Sequence, residues 1–180
     1  MTVYGPSLAP LRRWVWVALL GAIAASIGDG LMLWQGLQAM PEYAKIATPP
    51  DLALLIGYYL GIAGIPLFGM GYWGISRTFK TPRVAAVFFA VTLIGVASGT
   101  LIHSATGMGA YALALSSAGS DATGPFTVFS AYLIPLVMLS VAATLIGAGL
   151  YIYAVARGRS LLPRWAATVN PVLLMVSLIG

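Results

Sequence analysis

Four stretches of the chain, residues 14–38, 52–76, 83–104 and 126–156, each exceed 20 residues and between them carry two charges, Asp29 and Arg83. A helix that crosses a bilayer needs about 20 mostly apolar residues, because its backbone polar groups must be satisfied within the segment. The pattern therefore predicts an all-α protein, a polytopic bundle of transmembrane helices. The third span covers 83–104 or extends further, to residue 117 at most, and residues 1–180 form a single integral-membrane domain. A fifth apolar run, 165–180, rises only about 24 Å against a hydrocarbon core of about 30 Å. It is expected to be a half-inserted or truncated span, with the natural chain continuing beyond Gly180.

Composition excludes the alternatives. Only 7% of residues are charged and 60% are hydrophobic, whereas a soluble domain carries about 25% charged residues. The sequence has no cysteine and one histidine, so thiolate metal sites, iron–sulfur clusters and multi-histidine centres are not available. No cofactor is expected. The pI near 9.8 comes from short basic clusters between apolar runs, a pattern of membrane topology and not of a nucleic-acid-binding face.

Charge then orients the spans. Arg12 and Arg13 precede the first; Arg77, Lys80 and Arg83 separate the second from the third; Arg157, Arg159 and Arg164 follow the fourth. The loops 39–51 and 118–125 carry only Lys45 among basic residues, but hold Glu42, Asp51 and Asp121. The positive-inside rule reads this as a cytoplasmic N-terminus in a plasma membrane, with the first and third loops outside. Arg12-Arg13 and Ala22-Ile23-Ala24 imitate a cleavable signal peptide. Apolar residues resume after Asp29 and run to Leu37, which favours a full-length span.

Asp29 and His103 are the ionisable residues inside these spans that carry chemistry. Asp29 lies about 24 Å along the helix from Arg13 and His103 about 30 Å from Arg83, so both are expected in the outer half of the membrane. Tyr58, Tyr59 and Tyr132 should share that layer. Gly21, Ala25 and Asp29 recur at four-residue spacing, as do Gly95, Gly99, His103 and Gly107, while Gly57, Gly61 and Gly64 line the second span. Small residues at such spacing let membrane helices approach closely. Asp29 and His103 should therefore point into the bundle. An ionisable residue at this depth is costly and by default marks a functional site. Two blander roles stay open: Asp29 as a structural hydrogen-bond acceptor, and His103 as an interfacial residue wetted from outside. Trp14, Trp16, Trp34, Trp73 and Trp165 read mainly as interface anchors. Pro66 and Pro135 inside spans two and four should kink their helices.

Several chemistries have no place here. The sequence lacks a phosphate-binding glycine loop, HExxH, a Gly-x-Ser-x-Gly elbow, an acidic cluster and any lysine within a span. Gly28-Asp29-Gly30-Leu31, the run Gly61-Ile62-Ala63-Gly64-Ile65-Pro66-Leu67, a histidine in the third span and Asn170-Pro171 together resemble an uncharacterised family of small multi-span bacterial membrane proteins. The resemblance covers most of the chain. It implies the helical membrane fold and a further span or two after the Asn-Pro pair, and it carries no activity.

Three functional readings follow. The first is an intramembrane isomerase or cyclase acting on an apolar, isoprenoid-like lipid. In it Asp29 and His103 form the catalytic pair, and Tyr58, Tyr59, Tyr132 and Trp34 line the substrate pocket. The second is a non-catalytic lipid- or small-molecule-binding protein. The third is a small carrier with Asp29 as its titrating group. Membrane lipids are the expected partners in each, nucleic acid is not, and glycine-rich faces would equally suit a homo-oligomer.

Overall fold

A computed structural model describes residues 8–38, 52–117 and 123–169. They form α1 (Ala9–Gln38), α2 (Leu52–Ser76), α3 (Pro82–Ser117) and α4 (Thr123–Ala156), followed by a short 3-10 helix, Arg164–Thr168. Segments Leu11–Met32, Leu52–Ser76, Pro82–Gly109 and Leu133–Ala156 are long and apolar enough to cross a membrane. The helix surfaces agree, since Leu20, Ile27, Leu101, Met108, Ile134 and Met138 are all exposed. Such a surface suits hydrocarbon as its solvent. α3 continues to Ser117, and α2 and α4 each run as one helix through Pro66 and Pro135.

Of the expected fifth span, only residues 165–169 are described. Residues 164–168 wind as a 3-10 helix behind Pro163, with Ala166 N–H bonded to the Pro163 carbonyl at 2.9 Å. Residues 170–180, including Asn170-Pro171, lie outside the described residues.

The chain divides into two compact units. The first comprises Met1–Leu19, Phe68–Val96 and Leu139–Gly180. Its core is aromatic: Phe79 and Phe88 lie 5.1 Å apart between ring centroids, with Tyr72 edge-on to Phe88. Ala154 and Val155 are fully buried, Val155 against Ala166 and Ala167. The Tyr151 hydroxyl donates to the Ala166 carbonyl at 3.0 Å, which ties the 3-10 helix to α4.

Two connecting segments in this unit are stitched together. The end of α4 closes in a Schellman turn: Arg159 N–H bonds the Ala154 carbonyl at 2.8 Å and Gly158 N–H bonds the Val155 carbonyl at 3.0 Å. Gly158 takes φ +63° there, the left-handed conformation that glycine adopts without strain. The chain then pairs with the α2–α3 connection in an antiparallel bridge between Phe79 and Ser160. Lys80 N–H donates to the Arg159 carbonyl at 2.7 Å, and Leu161 N–H to the Thr78 carbonyl at 2.9 Å. Pro82 opens α3 at a position where no backbone donor is needed.

Beneath the bridge runs a buried hydroxyl relay. Leu162 N–H donates to Ser160 Oγ, and Thr78 Oγ1 donates to the Ile75 carbonyl at 2.8 Å. Each hydroxyl has one proton, so the 2.9 Å contact between them must run from Ser160 Oγ to Thr78 Oγ1. Ser160→Ala breaks the chain at its centre: the Leu162 N–H loses its acceptor, and Thr78 Oγ1 keeps only its bond to the Ile75 carbonyl. It is expected to cost about 1–3 kcal/mol, read as a lower melting temperature in detergent. An unchanged melt would show that the relay contributes nothing to stability.

The second unit, Leu20–Leu67 and Ala97–Met138, holds the closest helix contact. A Cβ built on Gly21 would lie 2.6 Å from the Gly64 carbonyl oxygen, and one on Gly64 would lie 2.6 Å from that of Gly21. One on Gly28 would meet the Gly57 carbonyl at 2.6 Å. The backbones of α1 and α2 therefore touch along Gly21, Ala25 and Gly28 on one side and Gly57, Gly61 and Gly64 on the other. This is the small-residue packing expected where hydrocarbon surrounds the helices and dispersion contacts drive association.

Candidate functional site

The α1–α2 seam sets the register of the site. On α1 the seam follows Gly21, Ala25 and Gly28, all buried. Asp29 is one residue, or about 100°, further round the helix. The expectation that Asp29 itself belongs to the buried stripe is thus corrected: its side chain is 55% exposed. Gly28 takes the contact position because only a residue without a side chain allows the backbones to touch.

His103 behaves as expected. Its side chain is 4% exposed and occupies the same face of α3 as Gly99 and Gly107. Gly99 approaches Ile65 of α2, the imidazole of His103 lies directly on Gly61, and Gly107 receives the ring of Tyr58. Two glycines thus act reciprocally: Gly61 of α2 makes room for a ring from α3, and Gly107 of α3 makes room for a ring from α2. The absence of Cβ at each position is what admits the ring.

The two ionisable residues meet. His103 Nδ1 lies 2.9 Å from Asp29 Oδ1. A carboxylate oxygen can only accept, so Nδ1 carries the proton and donates it. In the neutral imidazole Nε2 then bears the lone pair. It is buried against Gly61, and among the described residues it has no hydrogen-bond partner.

This geometry divides the roles. Nε2 is enclosed by α2, so His103 cannot present its second nitrogen to an outside molecule without leaving its seat. The accessible group is the Asp29 carboxylate, held at Oδ1 by the imidazole. An aspartate fixed by a buried histidine is positioned, which is the requirement for transferring a proton along a defined direction.

The remaining expected site residues divide in the same way. Tyr58, one turn from Gly61 on α2, packs on Gly107 and edge-on to Tyr59 at 5.2 Å between ring centroids. Tyr59 is 60% exposed. The side chains of Trp34 and Tyr132 lie outside the described residues. Gly61 was legible in the sequence only as a packing glycine, and no local signal marks it as the seat of a ring from another helix.

Asp29, Gly61 and His103 all fall within residues 10–179, which match the model of a family described as a family of unknown function, DUF6796. The chain belongs to that family. The match runs from the second residue of α1 through the other three helices and the 3-10 helix of this DUF6796 member. Neither a curated protein nor a solved structure matches it.

Proposed function

We propose that this protein is an intramembrane acid–base enzyme acting on an apolar, isoprenoid-like lipid, of isomerase or cyclase type, in a bacterial plasma membrane with the N-terminus cytoplasmic. One observation carries the reading: a half-exposed carboxylate, within a segment apolar enough to span a membrane, is fixed by a buried imidazole. Asp29 is the catalytic residue and His103 its positioning residue. The topology rests on the eight basic residues flanking the spans.

The chemistry needs no other group. Protonated at Oδ2, Asp29 still accepts the His103 Nδ1–H bond at Oδ1, so the pair does not reorganise when the proton moves. The acid gives its proton to one carbon of a substrate double bond, leaving a cation on the neighbouring carbon. The carboxylate then takes a proton from the adjacent carbon on the far side. The double bond has shifted by one position and Asp29 is again protonated, with no net change in atoms or electrons. If an internal alkene attacks the cation before proton loss, a ring closes instead. Exposed aromatic faces such as Tyr59 suit a transient cation.

Because each turnover places the Asp29 proton on carbon, and the half-exposed carboxyl exchanges its proton with solvent between turnovers, the substrate need not be known in advance. Purified protein incubated with bacterial lipid extract in D2O is expected to introduce deuterium into an apolar lipid, read by mass spectrometry. Asp29→Asn should abolish the labelling while leaving the fold intact; His103→Ala should reduce it. No labelling by the unaltered protein would end the enzyme reading. Asp29-dependent proton uptake into vesicles without lipid labelling would replace it with a carrier.

A further inference from the structure

We infer that the stitched connections of the first unit form a binding site for the phosphodiester headgroup of an anionic phospholipid. The inference is independent of the chemistry at Asp29. Residues 1–19, 68–96 and 139–180, which make up this unit, contain eight of the nine basic residues of the chain and no acidic residue. Cations gathered without any carboxylate repel one another, most strongly at the edge of a low-dielectric region, unless an anion lies among them.

The cations are also held in place. Lys80 Nζ donates to the Gly158 carbonyl at 3.0 Å, which uses one of its three donors. Arg164 Nη2 comes within 3.9 Å of a Cβ built on the same glycine. The two side chains, 84 positions apart in sequence, thus converge on one residue. That residue is flanked in the chain by the exposed Arg157 and Arg159, the latter stacked over Tyr153 at 5.2 Å. The Phe79–Ser160 bridge and the hydroxyl relay fix the backbone under them. A guanidinium and an ammonium both drawn to Gly158 supply the charge and the N–H donors that a phosphate oxygen pair accepts.

The lipid source is favoured over a free anion by what adjoins the cations. Trp165, next to Arg164, is 68% exposed, and an exposed tryptophan beside arginine suits the boundary between headgroups and acyl chains. The platform also caps helices apolar enough to span a membrane. A water-soluble phosphate would gain nothing from either feature.

The test uses the full chain in nanodiscs of phosphatidylcholine doped with phosphatidylglycerol, followed by native mass spectrometry of the lipids retained. The unaltered protein is expected to retain phosphatidylglycerol well above its share of the bilayer. Lys80→Gln with Arg164→Gln should lower that enrichment by about tenfold, the effect of losing charge-assisted hydrogen bonds. Arg12→Gln with Arg13→Gln, which removes the same charge elsewhere in the unit, should leave it. Arg164→Gln alone, which touches none of the bonds that stitch the connections, covers the case in which the double variant misfolds, and should still lower enrichment. Equal loss from the Arg12/Arg13 pair would overturn the site in favour of diffuse charge attraction. No enrichment by the unaltered protein would overturn it outright. Inorganic phosphate displacing the lipid at low concentration would overturn the lipid assignment in favour of a soluble anion.

Discussion

Gly61→Ala is expected to unseat His103 and, with it, to release Asp29. A Cβ at residue 61 would occupy the space of the imidazole edge that carries Nε2. Flexible side chains usually yield to such an intrusion, but this ring has little freedom. It is buried, and any swing away from α2 stretches the 2.9 Å bond from Nδ1 to Asp29. Overpacking of this kind costs about 1–3 kcal/mol, and the broken bond adds to it. The decisive measurement is a double-mutant cycle on melting in detergent. His103→Ala removes the ring, so Gly61→Ala should then cost much less, giving a coupling of at least about 1 kcal/mol. Additive effects would mean that residue 61 and the imidazole do not share one space.

The second large effect is at the α1–α2 seam. In Gly64→Leu the first side-chain carbon alone would lie 2.6 Å from the Gly21 carbonyl oxygen and 2.8 Å from the Ala25 nitrogen. Both are backbone atoms of a continuous helix and cannot rotate aside, so the helices must part along their length. The loss includes the close dispersion contacts that replace the hydrophobic effect between helices in lipid. The variant is expected to fail to fold, read as loss of a monodisperse species in detergent. Gly30→Leu is the matched control, because no atom of the described residues lies within 4 Å of a Cβ there. It should fold normally. Similar behaviour of the two variants would refute the seam.

The two variants separate what position alone conveys from what packing conveys. Gly28 and Gly30 flank Asp29 symmetrically in sequence, yet one is pressed against the Gly57 carbonyl and the other has no neighbour within 4 Å of a Cβ among the described residues. A spacing argument that reads Gly21, Ala25 and Asp29 as one stripe differs by a single residue from the seam that forms. A three-four alternation, Gly21 to Ala25 to Gly28, tracks the 3.6-residue turn more closely than two steps of four. That one-residue difference moves Asp29 from the seam to its edge and leaves it half-exposed.

The spans themselves were legible because lipid imposes a strict requirement: backbone polar groups must be satisfied within an apolar helix of sufficient length. Of the fifth run only the first residues are described, and they show local geometry that hydropathy does not encode. The run is apolar, but Arg164–Thr168 close short i to i+3 bonds behind Pro163, and the tyrosine hydroxyl of α4 takes up the Ala166 carbonyl.

By itself, then, the sequence determined the four apolar helices, the segregation of basic residues to the start of the first span and to the segments around the connections after the second and fourth, and the selection of Asp29 and His103 as the ionisable groups worth explaining. Hydropathy and charge are properties of local composition, so the linear order of residues is enough to read them. Only the tertiary structure decided that the two residues touch, that the imidazole is closed off by Gly61 while the carboxylate is reachable, and that Lys80 and Arg164 converge on Gly158. Those outcomes depend on helix rotation and on contacts between residues far apart in the chain, which close packing fixes to within a single position and composition does not encode.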